Sequence, residues 1–383
     1  MRYREIGSTG VRVSEVGFGG EWASPDDPAH ARALVERCER NDINILDCWM
    51  SDPGQRSNLG TALEGHRDRW IIQGHIGSTW KDGQYKRTRE IEPVKEAFED
   101  LLARFRTDYI DFGMLHYIDV MSDYRTVMEG DVLSYAHDLK AAGRIRHIGM
   151  STHNPAVALA AAKSGQVELI LFSCNPAFDL VSADTDLDDF FNGKAFENDA
   201  LAGIAPDRAE LYRTCEERGV GITVMKGFAG GRLLNADDSP FGKAFTPIQC
   251  IHYALTRPAV ASVMVGFSEP EQVDVAEGYE AADAQTRDYA SVLAGAPHHA
   301  FFGQCTYCGH CAPCPQDIEI AYVNKFADLA SAHETVPPSV AEHYAALSAH
   351  ASDCIGCGQC EKRCPFGVEV VEKMKQTAAL FGK

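Results

Sequence analysis

The stretch YIDFGMLH, residues 109–116, is a short apolar run that ends on a polar side chain, His116. Seven further runs of this kind alternate with amphipathic stretches that are typical of helices. They are VSEVGFGG (13–20), INILDCW (43–49), RWIIQGHIG (69–77), IRHIGMS (145–151), ELILFSCN (168–175), GITVMKG (221–227) and SVMVGFS (262–268). Eight β-strands separated by helices predict an α/β fold, the closed (β/α)8 TIM barrel.

Polar side chains stand where several of these strands end. Barrels of this class carry their chemistry at the carboxyl ends of the strands, so Asp47, His75, His116 and Cys174 are the candidate catalytic residues. Imidazoles and a carboxylate can deliver protons near neutral pH. Two histidines and one aspartate can alternatively bind a metal as a facial triad, and each residue alone can have a purely structural role.

A second feature is the cysteine content, with eight of thirteen cysteines after residue 304. The run CIGCGQCEKRCP (354–365) has the C-x2-C-x2-C-x3-C-P spacing of bacterial ferredoxins, which bind [4Fe–4S] clusters. The run CTYCGHCAPCP (305–315) is one residue shorter before its last cysteine. Structural zinc is the alternative, but zinc sites ordinarily show two separate CxxC pairs.

The two runs predict two clusters with crossed ligands. In two-cluster ferredoxins the fourth cysteine of each run binds the cluster of the other run. The predicted sets are therefore Cys305, Cys308, Cys311 and Cys364 for one cluster, and Cys354, Cys357, Cys360 and Cys314 for the other. We expect a barrel over residues 1–290 and a small, mainly helical, ferredoxin-like domain over 291–383.

Composition excludes some partners. The net charge is -19, and the sequence shows no basic stripe that could neutralise the phosphates of a nucleic acid. No apolar run approaches the ~18 residues of a membrane span. No signal peptide precedes the barrel pattern, and clustered thiols suit a reducing compartment, so we predict a cytoplasmic protein without a membrane partner.

Five segments carry a family resemblance: YREIGSTGVRVSEVGFGG, INILD, YIDFGMLH, RIRHIGMS and VMKGFAGGRLL. They resemble the aldo/keto reductase superfamily, and the C-terminal cysteines resemble its iron–sulfur branch. The resemblance implies a catalytic tetrad of Asp, Tyr, Lys and His, in which Asp47 matches the Asp and His116 the His. Asp52 stands where the Tyr is expected and His75 where the Lys is expected. We therefore expect proton delivery by His and Asp side chains in place of the family's Tyr.

The resemblance also implies a nicotinamide site, with Ser151, Asn175, Lys226, Gly227 and Gly266 as its predicted cofactor-binding residues. Several family contacts have changed, however. Cys174 replaces the aromatic that stacks on the nicotinamide, and Thr152 replaces an Asn. Gln272 and Ala276 replace the Arg and Asn of the adenine end. NAD(P)H is therefore the alternative reductant, and the resemblance leaves the presence of a nicotinamide or flavin open.

A long segment, residues 178–207, follows the strand that ends at Cys174. Long segments at an active-site rim are often lids, and its aromatic side chains are suited to cover an aromatic or apolar substrate: Phe178, Phe190, Phe191 and Phe196.

These patterns together predict an oxidoreductase of anaerobic chemistry. A redox partner protein or another low-potential donor would pass electrons through two [4Fe–4S] clusters to a small organic substrate, aromatic or carbonyl, at the barrel rim. Two alternatives remain at this point. One is an NAD(P)H-dependent carbonyl reductase with an accessory ferredoxin domain, and the other is a non-catalytic electron-transfer subunit.

Overall fold

The structure is a computed structural model that describes residues 1–186, 188–189, 193–198, 200–296, 299, 301–331, 333 and 335–383. The chain forms two compact units. The first comprises Met1–Asn175, Thr214–Gly227 and Ala259–Asp283, and the second comprises Pro176–Arg213, Phe228–Pro258 and Ala284–Lys383. The domain boundary between residues 290 and 291 remains a prediction from the sequence.

The first unit contains a closed barrel of eight parallel strands, which confirms the predicted fold class. Each predicted run contains or overlaps one barrel strand. The barrel strands are β3 (Val16–Gly19), β4 (Ile45–Cys48), β5 (Ile71–Ile76), β8 (Ile110–Leu115), β9 (Ile145–Thr152), β10 (Leu169–Ser173), β11 (Gly221–Met225) and β12 (Val260–Gly266). Two antiparallel hairpins accompany them, β1 (Tyr3–Glu5) with β2 (Arg12–Ser14), and β6 (Ser78–Lys81) with β7 (Gln84–Arg87).

Helices connect the strands and continue into the second unit. The α-helices are α1 (Pro28–Arg40), α2 (Pro53–Ala62), α3 (Ile91–Phe105), α4 (Met121–Met128), α5 (Asp131–Ala141), α6 (Pro155–Ser164), α7 (Pro206–Arg218), α8 (Pro247–Leu255), α9 (Val275–Ala281), α10 (Ala290–Ala294), α11 (Ile320–Ala330), α12 (Pro338–Ala345), α13 (Gln359–Arg363) and α14 (Val370–Phe381). Short 3-10 helices cover Gly20–Trp22, Arg67–Arg69, Phe178–Leu180, Lys194–Glu197, Ala229–Leu234, Pro270–Asp274 and Ala351–Asp353. No helix in the described ranges is long and apolar enough to cross a membrane.

Apolar side chains fill the barrel core, where Ile45, Phe112 and Leu171 pack with two methionines, Met114 and Met264. The methionine sulfurs need glycines opposite them. A Cβ at Gly17 would lie 2.6 Å from the sulfur of Met264, and one at Gly149 would lie 2.4 Å from that of Met114. These glycines allow the strands to close with a filled interior.

In the second unit, the segment after residue 300 is mainly helical, as predicted for this part of the chain. Tyr344 and Phe381 stack with ring centres 3.9 Å apart. Arg363 joins the two cysteine runs, because its Nη2 donates to the carbonyl oxygens of Cys311 (2.6 Å) and Pro313 (2.7 Å).

The packing of α2 against α3 can be tested at Gly60. A Cβ there would lie 2.0 Å from the carbonyl oxygen of Arg104 and 2.7 Å from Cα of Phe105. Because backbone atoms cannot move aside cheaply, we expect Gly60→Ala to destabilise the barrel by about 1–3 kcal/mol. Thermal unfolding followed by circular dichroism measures this. Thr61→Ala on the same helix is the control and should change stability by less than about 0.5 kcal/mol, and equal midpoints for the two variants would contradict the packing.

Candidate active site and cluster-binding cysteines

Four polar side chains of the first unit form a continuous hydrogen-bonded series at the carboxyl ends of β4, β5 and β8. The Nε2 atom of His75 lies 3.0 Å from Oδ1 of Asp47, and its Nδ1 atom lies 2.8 Å from Nδ1 of His116. The hydroxyl of Tyr85, on β7, lies 2.7 Å from Nε2 of His116. We call these four residues the Asp47–Tyr85 series. Parallel strands produce this proximity because their carboxyl ends meet at one rim of the barrel.

The donors and acceptors available on each group determine the direction of every hydrogen bond in the series. An ionised Asp47 only accepts, so His75 donates to it through Nε2 and keeps Nδ1 as an acceptor. His116 then donates through Nδ1, which leaves its Nε2 to accept the hydroxyl hydrogen of Tyr85. Every member has a partner with both imidazoles neutral, so the series needs no buried cation.

The surroundings favour the neutral forms of His116 and Tyr85. Burial lowers the pKa of His116 well below its usual value, and the nearby His75, Arg89 and Arg87 lower it further. Burial raises the pKa of Tyr85. His116 is therefore a neutral imidazole and Tyr85 a protonated phenol at neutral pH.

The inner end of the series is held by two buried side chains. The Nε2 atom of Gln73 donates to Oδ1 of Asp47 at 2.8 Å. The other end of the same amide accepts from the hydroxyl of Thr223 at 2.7 Å. Asp47 is only 4% exposed, so these contacts replace the water that a carboxylate would otherwise bind.

Aromatic rings surround the outer end. The ring of Trp49 is nearly parallel to that of His116, with an interplanar angle of 7° and ring centres 6.2 Å apart. It meets Tyr85 edge-on at 5.4 Å, and its Nε1 donates to Oε2 of Glu21 at 2.9 Å. Trp49 therefore limits the orientations that His116 and Tyr85 can adopt.

The facial metal triad is not what these residues form. Both ring nitrogens of His75 are already engaged, one with Asp47 and one with His116. Within the described part of the chain, no three His, Cys, Asp or Glu side chains converge on a position for a single ion.

Cys174 lies at a different point of the rim, after β10. It is fully buried, and its backbone N–H donates to the carbonyl oxygen of Met225 at 3.4 Å. The structure thus brings together Asp47, His75 and His116, with Tyr85, while the role predicted for Cys174 remains a prediction.

The predicted nicotinamide contacts make bonds within the first unit. Ser151 accepts the backbone N–H of Tyr117 through its hydroxyl oxygen at 2.8 Å. The amide of Asn175 donates to the carbonyl oxygen of Lys226 at 2.8 Å. Gly227 is buried, whereas the Lys226 side chain and Gly266 are exposed. As cofactor contacts, all five residues remain predictions.

Two residues beside these positions, Thr152 and Gln272, also make hydrogen bonds within the first unit. Thr152 donates its hydroxyl hydrogen to Asp119 at 3.0 Å. Burial opposes ionisation of Asp119, but hydrogen bonds from His153 and Thr152 outweigh it and lower the pKa of this carboxyl group. Gln272, at the predicted adenine end, accepts from the backbone of Ser268 at 2.8 Å and caps the helix Pro270–Asp274.

The predicted lid belongs to the second unit. Phe178 and Phe196 are buried there and stack at 6.4 Å with nearly parallel rings. Phe190 and Phe191 lie outside the described residues. A covering role for this segment remains a prediction.

The eight C-terminal cysteines line two cavities in the second unit. One cavity is lined by Cys305, Cys308, Cys311 and Cys364, and the other by Cys314, Cys354, Cys357 and Cys360. Each cavity thus combines three thiols of one run with the last thiol of the other. These are the two sets that the ferredoxin spacing predicts.

Nearby donors suit thiolate sulfurs. The backbone N–H groups of Gly356 and Val368 lie 3.4 and 3.5 Å from the sulfurs of Cys354 and Cys364. The amide of Asn324 lies 3.5 Å from the sulfur of Cys305. Hydrogen bonds to cluster sulfurs are a usual feature of iron–sulfur sites, so both cavities fit such clusters.

The comparisons with known proteins agree with both parts of this description. Residues 16–185 match the aldo/keto reductase family, and residues 301–369 match the 4Fe-4S dicluster domain. The chain carries an aldo/keto reductase domain and a 4Fe-4S dicluster domain. It is an oxidoreductase with a ferredoxin-like iron–sulfur domain.

Relatives of known name support the same assignment. The uncharacterized oxidoreductase YqkF of Bacillus subtilis is 24% identical over 296 residues, which cover 74% of this chain and 92% of the relative. The L-galactose dehydrogenase of Arabidopsis thaliana is 26% identical over 310 residues, or 72% of this chain and 86% of the relative. The holo form of an aldo-keto reductase from Bacillus halodurans superimposes with a TM-score of 0.59 at 22% identity, covering 79% of this chain and 98% of that one, which shows the shared fold.

In this aldo/keto reductase domain, Tyr85 is the residue that sequence reasoning missed. The resemblance places the family's Tyr five residues after Asp47, where Asp52 instead caps helix α2 by accepting the N–H of Gln55 at 2.9 Å. A signal was available, because TWKDGQYK places an Asp-Gly turn between two alternating stretches directly after His75. Such a pattern predicts a β-hairpin, and a hairpin at that place extends from the barrel rim.

The cluster assignment can be tested by iron content. Protein purified without oxygen should contain about eight irons per chain, because two clusters of four are expected. Cys357→Ser should lower that figure toward four, whereas Cys250→Ser, a buried thiol outside both cavities, should leave it unchanged. Four irons in the unmodified protein, or stoichiometric zinc, would contradict the two-cluster assignment.

Proposed function

We propose that this oxidoreductase interconverts a small carbonyl compound and its alcohol at the barrel rim, with the Asp47–Tyr85 series exchanging the proton. The observation that carries the proposal is the unbroken series of hydrogen bonds from Asp47 through His75 and His116 to Tyr85. Buried carboxylate and imidazole groups, joined here to a half-buried phenol, are costly to assemble. Their convergence on adjacent strand ends supports an enzyme over an electron-carrying subunit with an inactive barrel.

For carbonyl reduction, the series must hold one more proton than in the ionised state described above. In that form Asp47 is a carboxylic acid that donates to Nε2 of His75, and His75 donates through Nδ1 to His116. His116 then donates through Nε2 to the oxygen of Tyr85, which leaves the Tyr85 O–H free to point at the substrate. In this form all four groups are neutral, whereas in the ionised state Asp47 carries a negative charge.

Proton transfer converts one form into the other. Tyr85 gives its proton to the substrate oxygen and receives one from His116. His116 receives one from His75, which receives the Asp47 proton. Each inner group loses one proton and gains one, and the carboxylate of Asp47 takes the final negative charge. Alcohol oxidation reverses the order, so the ionised series accepts the proton.

This proposal changes the role expected for His116. The resemblance, in which His116 matches the family's His, implies that His116 faces the substrate carbonyl, but its Nε2 faces the hydroxyl of Tyr85. His116 and His75 would therefore act through Tyr85, and the phenol would be the group that touches the substrate. The family's Tyr acid would thus be supplied from hairpin β6–β7 instead of from the segment after Asp47.

The electron source is the second part of the proposal. When bound by the two cysteine sets, [4Fe–4S] clusters would supply single electrons from a redox partner protein or another low-potential donor. Carbonyl reduction takes two such electrons and two protons, so the series would give one proton to the oxygen and water would give the other to the carbon. We favour this source over NAD(P)H because the residues expected at the nicotinamide and adenine ends make internal bonds. Thr152 donates to Asp119, Asn175 donates to the Lys226 carbonyl, and Gln272 caps a helix.

Substitutions along the series test the proton path. We expect Tyr85→Phe and His116→Ala to lower turnover by roughly 10²–10⁴-fold, because a positioned acid or base contributes about that much. His75→Ala should have a smaller effect, since Tyr85 and His116 stay in place. Turnover is measured as reoxidation of the chemically reduced protein by a panel of aliphatic and aromatic aldehydes and ketones.

The control for these variants is Tyr322→Phe, which changes an exposed tyrosine of α11 by the same single atom. It should retain the wild-type rate, and all variants should retain their iron. A wild-type rate in Tyr85→Phe would exclude the phenol as the substrate-facing group. An unaltered rate in the His75→Ala/His116→Ala double variant would exclude the whole series.

The nicotinamide alternative is tested separately. We expect NADPH and NADH to bind weakly and to drive no steady reduction of the same aldehydes and ketones. Calorimetry measures the binding, and loss of absorbance at the nicotinamide band measures turnover, each with the iron-loaded protein under anaerobic conditions. Tight binding with steady turnover would show that the Thr152 and Asn175 bonds rearrange around a nicotinamide, and would replace the cluster route by hydride transfer.

A further inference from the structure

A buried cation lies beside the cavity lined by Cys305, Cys308, Cys311 and Cys364. Arg257, two residues after α8, is 1% exposed. Its Nη2 donates to the carbonyl oxygen of Thr306 and, at 3.0 Å, to the hydroxyl of Thr256. Thr306 itself lines the cavity and stands directly after Cys305 in the chain. The guanidinium is therefore attached to the segment that carries two thiols of the set.

Aromatic rings hold this guanidinium in place. Its central carbon lies 4.5 Å from the ring centre of Tyr253 and 5.5 Å from that of Tyr307, another residue that lines the cavity. The hydroxyl of Tyr289 donates to the same Thr306 carbonyl at 2.7 Å. Arginine remains protonated in proteins even when buried, so this site carries a fixed positive charge.

The other cavity has a different environment. Its ligand Cys357 is exposed, and the neighbouring Ile355 is 63% exposed. Its arginine, Arg363, is only partly buried and donates to the backbone between Cys311 and Pro313. Solvent screens charges near this cavity more strongly than those around Arg257.

We infer that Arg257 is a positioning residue for electron transfer, which raises the reduction potential of the cluster held by Cys305, Cys308, Cys311 and Cys364. Reduction adds one electron, supplied by a low-potential donor, to that cluster; no bond forms or breaks and no proton moves. A fixed cation in a region of low dielectric stabilises the added negative charge. The reduction potentials of the two clusters would thereby be set by different nearby charges. The proposed carbonyl chemistry neither requires nor predicts this property.

Neutralising the charge tests this inference. The potentials of the two one-electron couples are measured by anaerobic titration with Ti(III) citrate, followed by electron paramagnetic resonance. In Arg257→Gln, the reduced-to-oxidised ratio of one couple at a fixed potential should fall at least tenfold, which equals about 59 mV for one electron. The other couple should change less than threefold. Cys357→Ser shows which couple is which. The couple that this variant perturbs belongs to the cluster held by Cys314, Cys354, Cys357 and Cys360, so the other couple is the one whose potential Arg257→Gln should change.

Two matched variants separate charge from packing. Arg257→Lys keeps the charge, so its couples should stay within threefold of the unmodified protein. Lys362→Gln removes the same charge from an exposed side chain of α13 and should also change both ratios by less than threefold. Equal shifts of both couples in Arg257→Gln, no shift in either, or an Arg257→Lys shift as large as that of Arg257→Gln would overturn the inference.

A third variant keeps the test decisive where Arg257→Gln fails to load iron. Asp328 accepts the hydroxyl of Tyr307 at 2.8 Å and pairs with Lys373 at 3.0 Å, so it places a negative charge near the same cavity. Asp328→Asn keeps an acceptor for Tyr307 while removing the charge, and should shift the same couple in the opposite direction. Couples that stay at their original potentials in an iron-loaded Asp328→Asn protein would exclude control of this cluster by nearby charge, Arg257 included.

Discussion

The arrangement of the polar side chains at the barrel rim depends on one requirement, which is that the buried carboxylate of Asp47 must have hydrogen-bond donors. Asp47 is almost inaccessible to water, and Gln73 and His75 supply the hydrogen bonds that water would otherwise make. When ionised, Asp47 only accepts hydrogen bonds, and this determines which nitrogen of His75 carries hydrogen and, through His116, the direction of the bond to the hydroxyl of Tyr85. One ionisable group on β4 therefore orients side chains on β5, on β7 and directly after β8. The four residues of the series therefore form one hydrogen-bonded network, in which the state of each group depends on the others.

The departures from the family's tetrad that the resemblance implies would share one physical explanation. In the tetrad, a Lys stabilises the ionised form of the Tyr, so a chain that lacks the Tyr has no use for that Lys. The family resemblance implies that His75 stands at the Lys position, and in the structure its Nδ1 atom lies 2.8 Å from Nδ1 of His116. A neutral imidazole beside a second neutral imidazole avoids a cation in a dry site, where burial already lowers the pKa of His116. Tyr85 then provides a phenol from a hairpin that the tetrad does not include.

The second unit has a different requirement. Its two cysteine runs must come together, because the thiols that line each cavity come from both runs. Each cavity draws three thiols from one run and one from the other, so neither run can complete its set alone. Arg363 holds the runs together through the carbonyl oxygens of Cys311 and Pro313, while Arg257 binds the backbone next to Cys305. The same cations that organise the backbone also place positive charge near the thiols. Structure and electrostatics are thus set by the same side chains.

Local pattern alone determined much of this protein. The eight apolar runs predicted the eight barrel strands because a strand buried in a parallel barrel must be apolar along its length. The cysteine spacing predicted the iron–sulfur domain because the three thiolates that one run gives to a cluster must follow one another at short, regular intervals. The strand-end positions of Asp47, His75 and His116 were also visible, since parallel strands end at one rim. Tyr85 was not, because nothing in the spacing of TWKDGQYK shows that its hairpin turns the phenol toward His116. Arg257 was equally hidden, nearly fifty residues before the thiol segment it contacts. Only tertiary packing decides such contacts, because a hydrogen bond between distant residues depends on how the chain closes and not on the identity of its neighbours in sequence.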